Sequence, residues 1–170
     1  MNTYFISDMH FGHENIIHLC KRPFTTVKEM DEAIINNWNS VVKKEDTVFV
    51  LGDVSFYPKE ITKQIITSLK GRKLLVKGNH DEKGNDWYSE CGFSSVYDLP
   101  VLYNDFFLLS HKPLEWLDKE GVMGNFHGHI HNDHRYLHVT PRSFNVSVEQ
   151  IGYKPIAFEE IVKKMKEEEW

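Results

Sequence analysis

Cysteine is nearly absent. Cys20 and Cys91 are the only two in 170 residues, which excludes a disulfide framework and a cysteine-rich zinc site and fits a reducing compartment. Basic residues are not in excess either. Lys and Arg number 20 against 25 Asp and Glu, a formal charge of −5, so no broad cationic surface for polymeric nucleic acid is expected. No apolar run approaches the ~20 residues that cross a bilayer. The opening stretch Met1-Asn2-Thr3-Tyr4-Phe5-Ile6-Ser7-Asp8 has no basic segment and meets an aspartate too early for a signal peptide. These absences predict a cytoplasmic protein with no membrane attachment. Repeats, low-complexity segments and linkers are missing too, and a chain of this length reads as one domain spanning residues 1–170.

What the chain does have is histidine, in a pattern. The densest run starts at His127 and ends Gly128-His129-Ile130-His131. Imidazoles at i and i+2 of an extended backbone point to the same side, so both reach one metal-sized space. Asp8-Met9-His10 repeats that spacing near the start. Between them lie Gly52-Asp53, Gly78-Asn79-His80-Asp81 and a separate His111, each following an apolar, β-branched or aromatic run that reads as a strand.

The scaffold is legible between these points. Residues 3–7 and 47–51 and the run Leu74-Leu75-Val76 read as buried strands. Glu14 to Cys20 is expected to be a short helix with Ile16, Ile17 and Leu19 partly inward. Thr26-Val27-Lys28-Glu29 has the capping-box spacing, and Val27, Met30, Ile34, Trp38 and Val41 form one helical face over about residues 27–42. Pro58 opens another helix, with Ile61, Ile65 and Leu69 on one side and Gly71 after its end. Alternating strands and helices predict parallel pairing, with ligands gathered at the strands' carboxyl ends. After a helical turn at residues 86–90 come short strands, which predict a more antiparallel region. Val101-Leu102-Tyr103 and Phe106-Phe107-Leu108-Leu109 flank an Asn104-Asp105 hairpin, and residues 144–148 form another strand. A final helix carries Phe158, Ile161, Val162 and Met165 on one side. The fold class is α/β.

Asp8, His10, Asp53, Asn79, His111, His129 and His131 thus offer four imidazoles, three oxygen ligands and no thiolate. Hard oxygen with borderline nitrogen suits Mn, Fe, Zn, Co or Ni. Seven ligands exceed one tetrahedral ion and fit two ions sharing a carboxylate, the arrangement that clamps the attacking and leaving oxygens of a displacement.

In this order, Asp-x-His, Gly-Asp, Gly-Asn-His-Asp, a lone His and Gly-His-x-His resemble the calcineurin-like metallophosphoesterase superfamily. The stretch His10-Phe11-Gly12-His13-Glu14-Asn15 resembles its small single-domain bacterial, archaeal and phage members. That resemblance implies a four-layer α-β-β-α sandwich, with two mixed sheets packed face to face, helices outside and no cap domain. It implies that Asp8, His10 and His131 hold one divalent ion, that Asn79, His111 and His129 hold the other, and that Asp53 bridges them. Manganese is the ion expected to serve in vitro. A hydroxide held between the ions would attack phosphorus, with His80 assisting the leaving alkoxide and Asp81 orienting the His80 ring or favouring its charged form.

The expected activity is phosphodiester hydrolysis on a small phosphorylated substrate, a nucleotide among the candidates. Phosphomonoester or nucleotide-anhydride hydrolysis is the alternative, or a non-catalytic binding scaffold of the same fold. His13 and Arg22 are expected to touch substrate. Lys112, Asn132 and Arg135 are further candidates for a non-reacting phosphate or base. Phe11, Phe24, Tyr57 and Trp116 are candidates for stacking a nucleoside, although core or rim packing is the simpler reading of each. His127, His134 and His138 match no ligand position, and Asn145 reads as structural support.

Overall fold

The computed structural model describes residues 1–114, 124–133 and 142–167. In chain order the elements are β1 (Thr3–Ile6), α1 (Glu14–Leu19), α2 (Val27–Val41), β2 (Thr47–Val50), α3 (Lys59–Ser68), β3 (Arg72–Val76), α4 (Asn85–Cys91), β4 (Ser95–Tyr97), β5 (Val101–Tyr103), β6 (Phe107–Leu109), β7 (Gly124–His127), β8 (Ser143–Asn145), β9 (Ile156–Ala157) and α5 (Phe158–Glu167). They form two mixed sheets, ordered β4-β3-β2-β1-β9 and β5-β6-β7-β8. Among the described residues no helix is long and apolar enough to cross a membrane.

The first sheet follows from residue alternation. Tyr4 and Ile6, Val48 and Val50, and Leu75 face one way, into a core with Ile16, Ile17, Met30, Ile34, Trp38, Ile66, Leu69 and Tyr88 from α1 to α4. Phe5, Phe49, Leu51, Leu74 and Val76 face the other way and meet Phe107, Leu109 and Phe126 of the second sheet. A strand buried on both faces has no polar side, which is why these runs are apolar throughout. Helix α5 adds Ile161 and Met165 to the core between the sheets, and Phe158 packs its ring edge-on against Tyr103 and Phe107. The segment after β8 ties the sheets together: Ser7 donates to the Val146 carbonyl at 2.9 Å, and Val146 donates to that of His127 at 2.7 Å.

Helix α2 follows its pattern closely. Thr26 accepts from the Glu29 N–H at 3.2 Å, and the Glu29 carboxylate accepts from the Thr25 N–H at 2.8 Å. The hairpin turn also forms, with Asn104 and Asp105 both at positive φ (49° and 62°), as a tight primed turn requires.

Four details differ from expectation. Leu19 is exposed, and only Ile16 and Ile17 of α1 are buried. The inner face of α3 is Thr62, Ile66 and Leu69, not Ile61, Ile65 and Leu69. Thr62 can be buried because its hydroxyl donates to the Tyr57 carbonyl at 3.1 Å, which removes the cost of an unsatisfied polar group. Among the described residues the second sheet is mostly parallel: β5–β6 is antiparallel, while β6–β7 and β7–β8 are parallel, joined by connections long enough for a crossover. Two-residue β9, antiparallel to β1, is too short to leave a periodic signal.

Candidate metal centre

Register brings the motif residues together. β1, β2 and β3 are parallel and aligned, Ile6 opposite Val50 and Val50 opposite Leu75, so the segments that follow them end at one edge. In the second sheet β6 and β7 are parallel, and they deliver His111 and the Gly128–His131 loop to the same place. The chain must turn sharply at each exit. Asp8, His10, Asp53, His129 and His131 all have positive φ, from 47° to 71°, a conformation uncommon outside glycine and concentrated at functional sites. Glycine appears where the approach is closest. A Cβ on Gly78 would lie 2.2 Å from Asp53 Oδ1, and one on Gly128 would lie 2.2 Å from Asp8 Oδ2.

The seven side chains form a chain of donors. His131 Nε2 lies 3.6 Å from Asp8 Oδ1, and His10 Nε2 lies 3.9 Å from that same oxygen. Asp53 Oδ2 sits between His10 Nε2 at 3.5 Å and His111 Nε2 at 3.4 Å. Asn79 Oδ1 is 2.9 Å and His129 Nδ1 3.2 Å from His111 Nε2. The other carboxylate oxygens are already engaged. Asp8 Oδ2 accepts from the His129 N–H and the Ser147 hydroxyl, both at 2.9 Å, and Asp53 Oδ1 accepts from the His80 N–H at 2.9 Å.

This arrangement fits divalent ions on its own chemistry. Asp8 Oδ1 and His10 Nε2 are fully buried with no hydrogen-bond partner among the described residues, and such atoms are rare unless something else satisfies them. His111 Nδ1 lies 2.7 Å from the Leu51 carbonyl, so that nitrogen is the donor, and Nε2 is the one turned towards Asn79 Oδ1 and Asp53 Oδ2. A divalent cation bound there would take the Nε2 lone pair and the amide oxygen together. His10 repeats the logic. Its Nδ1 meets His13 Nδ1 at 3.2 Å; with Nε2 free for a metal, Nδ1 keeps the proton and His13 accepts it. Burial pushes His10 and His129 down to about 4, which keeps both rings neutral, as ligands must be. Burial also opposes charge on His131. It is outweighed by hydrogen bonds to Cys20 and Glu149 and by the charge of Asp8, which raise that ring to about 10. For Asp8, burial is likewise outweighed by the neighbouring His10 ring, 3.9 Å away, and by the charge of His131, so its pKa lies far below the usual carboxylate range.

Several candidates occupy other roles. Arg22 is not available to substrate. It is buried, and its donors go to the Asp8 carbonyl (2.7 Å), the Met9 carbonyl (3.0 Å), Met30 Sδ (3.2 Å) and Glu149 Oε1 (2.7 and 2.8 Å). It is a clamp beneath the first chelate. Asp81 is buried and committed to backbone: its oxygens accept from the N–H groups of Asp53 (2.7 Å), Val54 (3.2 Å) and Gly78 (2.9 Å), locking together the loops after β2 and β3. Phe11 is fully buried, Phe24 packs edge-on against Tyr153, and the Tyr57 hydroxyl donates to Asp31. Asn132 donates to the Cys20 carbonyl, and Asn145 to that of His131. His80 and Asn79 are exposed at the rim, as is Lys112. Trp116, His134, Arg135 and His138 lie outside the described residues.

Sequence reasoning missed Glu149. Its Oε1 accepts from His131 Nδ1 at 3.0 Å as well as from Arg22, so one buried carboxylate orients a ligand ring and anchors the clamp. Phe56 was missed as well, an exposed ring among His10, His13 and His80. Beside the cluster a cleft of about 230 Å³ is bounded by Asn79, His111, Lys112, Leu99, Pro100 and Leu114.

Comparison with known proteins agrees with this geometry. The chain is 38% identical over 169 residues to the uncharacterized protein MJ1445 of Methanocaldococcus jannaschii, covering 94% of this chain and 89% of that one. It superposes on the structure of the protein of unknown function AQ665 from Aquifex aeolicus with a TM-score of 0.74 at 31% identity, covering 96% and 98% of the two chains. Pseudomonas putida nuclease MPE shares the fold, with a TM-score of 0.52 at 18% identity over 76% of this chain and 61% of that one. The family model for calcineurin-like phosphoesterases matches residues 1–170. Strand ends, donor cluster and family match agree: this chain belongs to the calcineurin-like phosphoesterases, a family of metal-dependent phosphoester hydrolases.

Proposed function

We propose that the protein is a dinuclear metal-dependent phosphodiesterase acting on a small phosphorylated substrate. The observation that carries this reading is Asp53 Oδ2, placed between His10 Nε2 and His111 Nε2 at 3.5 and 3.4 Å, so that this carboxylate would be shared by two ions. On this reading Asp8, His10 and His131 hold the first ion, Asn79, His111 and His129 hold the second, and Asp53 is common to both. When bound, the ions supply an activated water at neutral pH and charge for the phosphoryl oxygens. The protein's own part is to present His80 at the rim, its backbone fixed by Asp53, where its ring can give a proton to a leaving alkoxide. A diester also needs room for two arms. The cleft beside His111 and Lys112 offers one place, and the rim around His13, Phe56 and His80 offers the other.

The test is hydrolysis of bis(p-nitrophenyl) phosphate by metal-stripped protein refilled with Mn²⁺, beside Asp53→Asn. We expect metal-dependent turnover in the native chain and loss of at least about a hundredfold in the variant, since both ions depend on the one carboxylate. Turnover of p-nitrophenyl phosphate alone would replace this reading with a monoesterase.

A further inference from the structure

The site has an aromatic wall that none of its ligands requires. Phe56 is 43% exposed, yet it is firmly held. Its N–H donates to the Phe11 carbonyl at 2.8 Å, and the Ser55 hydroxyl beside it bonds Thr62 Oγ1 at 2.9 Å. The ring stacks on His13 with centroids 4.1 Å apart and planes 26° apart, and lies nearly parallel to His10 at 5.4 Å and 16°. On the same rim the His80 ring is 5.2 Å away. Single exposed apolar residues are ordinary. This one extends a stack of imidazoles, sits next to the His80 ring proposed to protonate the leaving oxygen, and is anchored through its backbone. A further planar ring laid on it would continue the stack.

We propose that Phe56 is a specificity-determining platform for the leaving arm of the ester, favouring leaving groups that carry an aromatic ring or nucleobase over small alkyl groups. This rests on the phosphodiesterase reading for its chemistry but has a test of its own.

Calorimetry on Mn²⁺-loaded protein compares p-nitrophenylphosphonate with methylphosphonate. Phe56→Leu keeps apolar bulk over His10 and removes the stacking face. The native protein should prefer the aryl ligand, and the variant should lose about three- to tenfold of that preference, the range of one aromatic pair, with unchanged Mn²⁺ affinity. An aryl preference that is absent, or equal in both proteins, overturns the inference. So does a fall in Mn²⁺ affinity that accompanies the lost preference, because the ring would then merely cover His10. Turnover of methyl p-nitrophenyl phosphate and bis(p-nitrophenyl) phosphate assigns the arm. Equal loss on both in the variant supports the leaving arm, and loss confined to the second, with two aryl arms, overturns it. If the native protein hydrolyses neither diester, the phosphodiesterase reading falls, while the calorimetric comparison still decides the platform.

Discussion

Asp53 and Asp81 are neighbouring buried carboxylates with opposite surroundings. Asp81 is satisfied by three backbone N–H groups, whereas Asp53 has one such donor and turns its other oxygen towards the Nε2 atoms of His10 and His111. Burial raises the Asp53 pKa. The same substitution should therefore have opposite effects in metal-free protein. Asp81→Asn sets an amide N–H₂ against backbone donors and should cost about 1–3 kcal/mol in denaturant unfolding. Asp53→Asn removes an uncompensated buried charge and should be neutral or stabilising, while losing metal. Glu149 makes a separate prediction. Glu149→Gln keeps the shape but weakens the hold on His131, and Mn²⁺ affinity should fall by about tenfold or more, read by titration of the stripped protein.

Among the elements, α2 is the most legible, because its cap and its apolar face are local signals. Thr26→Ala should remove about 1 kcal/mol of stability, measured by thermal unfolding. The candidate ligands were legible for a related reason: each terminates a recognisable strand, and parallel pairing collects those ends. Each miss has its cause outside the local pattern. Arg22 and Glu149 are 127 residues apart in sequence, and the path from β8 back past Ser7 makes them neighbours, so a lone Arg after a helix reads as a candidate substrate contact. The inner face of α3 turned by one position because Thr62 found a carbonyl partner that no periodicity reveals. The direction of β7 and β8 depended on the length of their connections, not on the strands themselves.

For the whole molecule, the buried rings set the pH at which the metal-free fold is strongest. His10 and His129 have folded values near 4, below their ordinary 6.5. Their contribution is complete above 6.5 and is lost as pH falls from there through 4. His131, raised to about 10, contributes fully below 6.5 and loses its contribution as pH rises from there through 10. Thermal unfolding of stripped protein should therefore show a maximum close to pH 6.5. Saturating Mn²⁺ should raise the midpoint, by about 4 kcal/mol of stability at a thousandfold excess over Kd. It should also remove the alkaline decline, because coordination takes the His131 proton. The left-handed turns at Asp8, His10, Asp53, His129 and His131 carry a further consequence over evolutionary time. Glycine would relax the backbone at every one of them, so a lineage selected for a robust fold but released from its chemistry would gain stability by discarding its ligands. Decay of this protein should start at its centre, leaving a sturdier descendant with its sheets intact and its reaction gone.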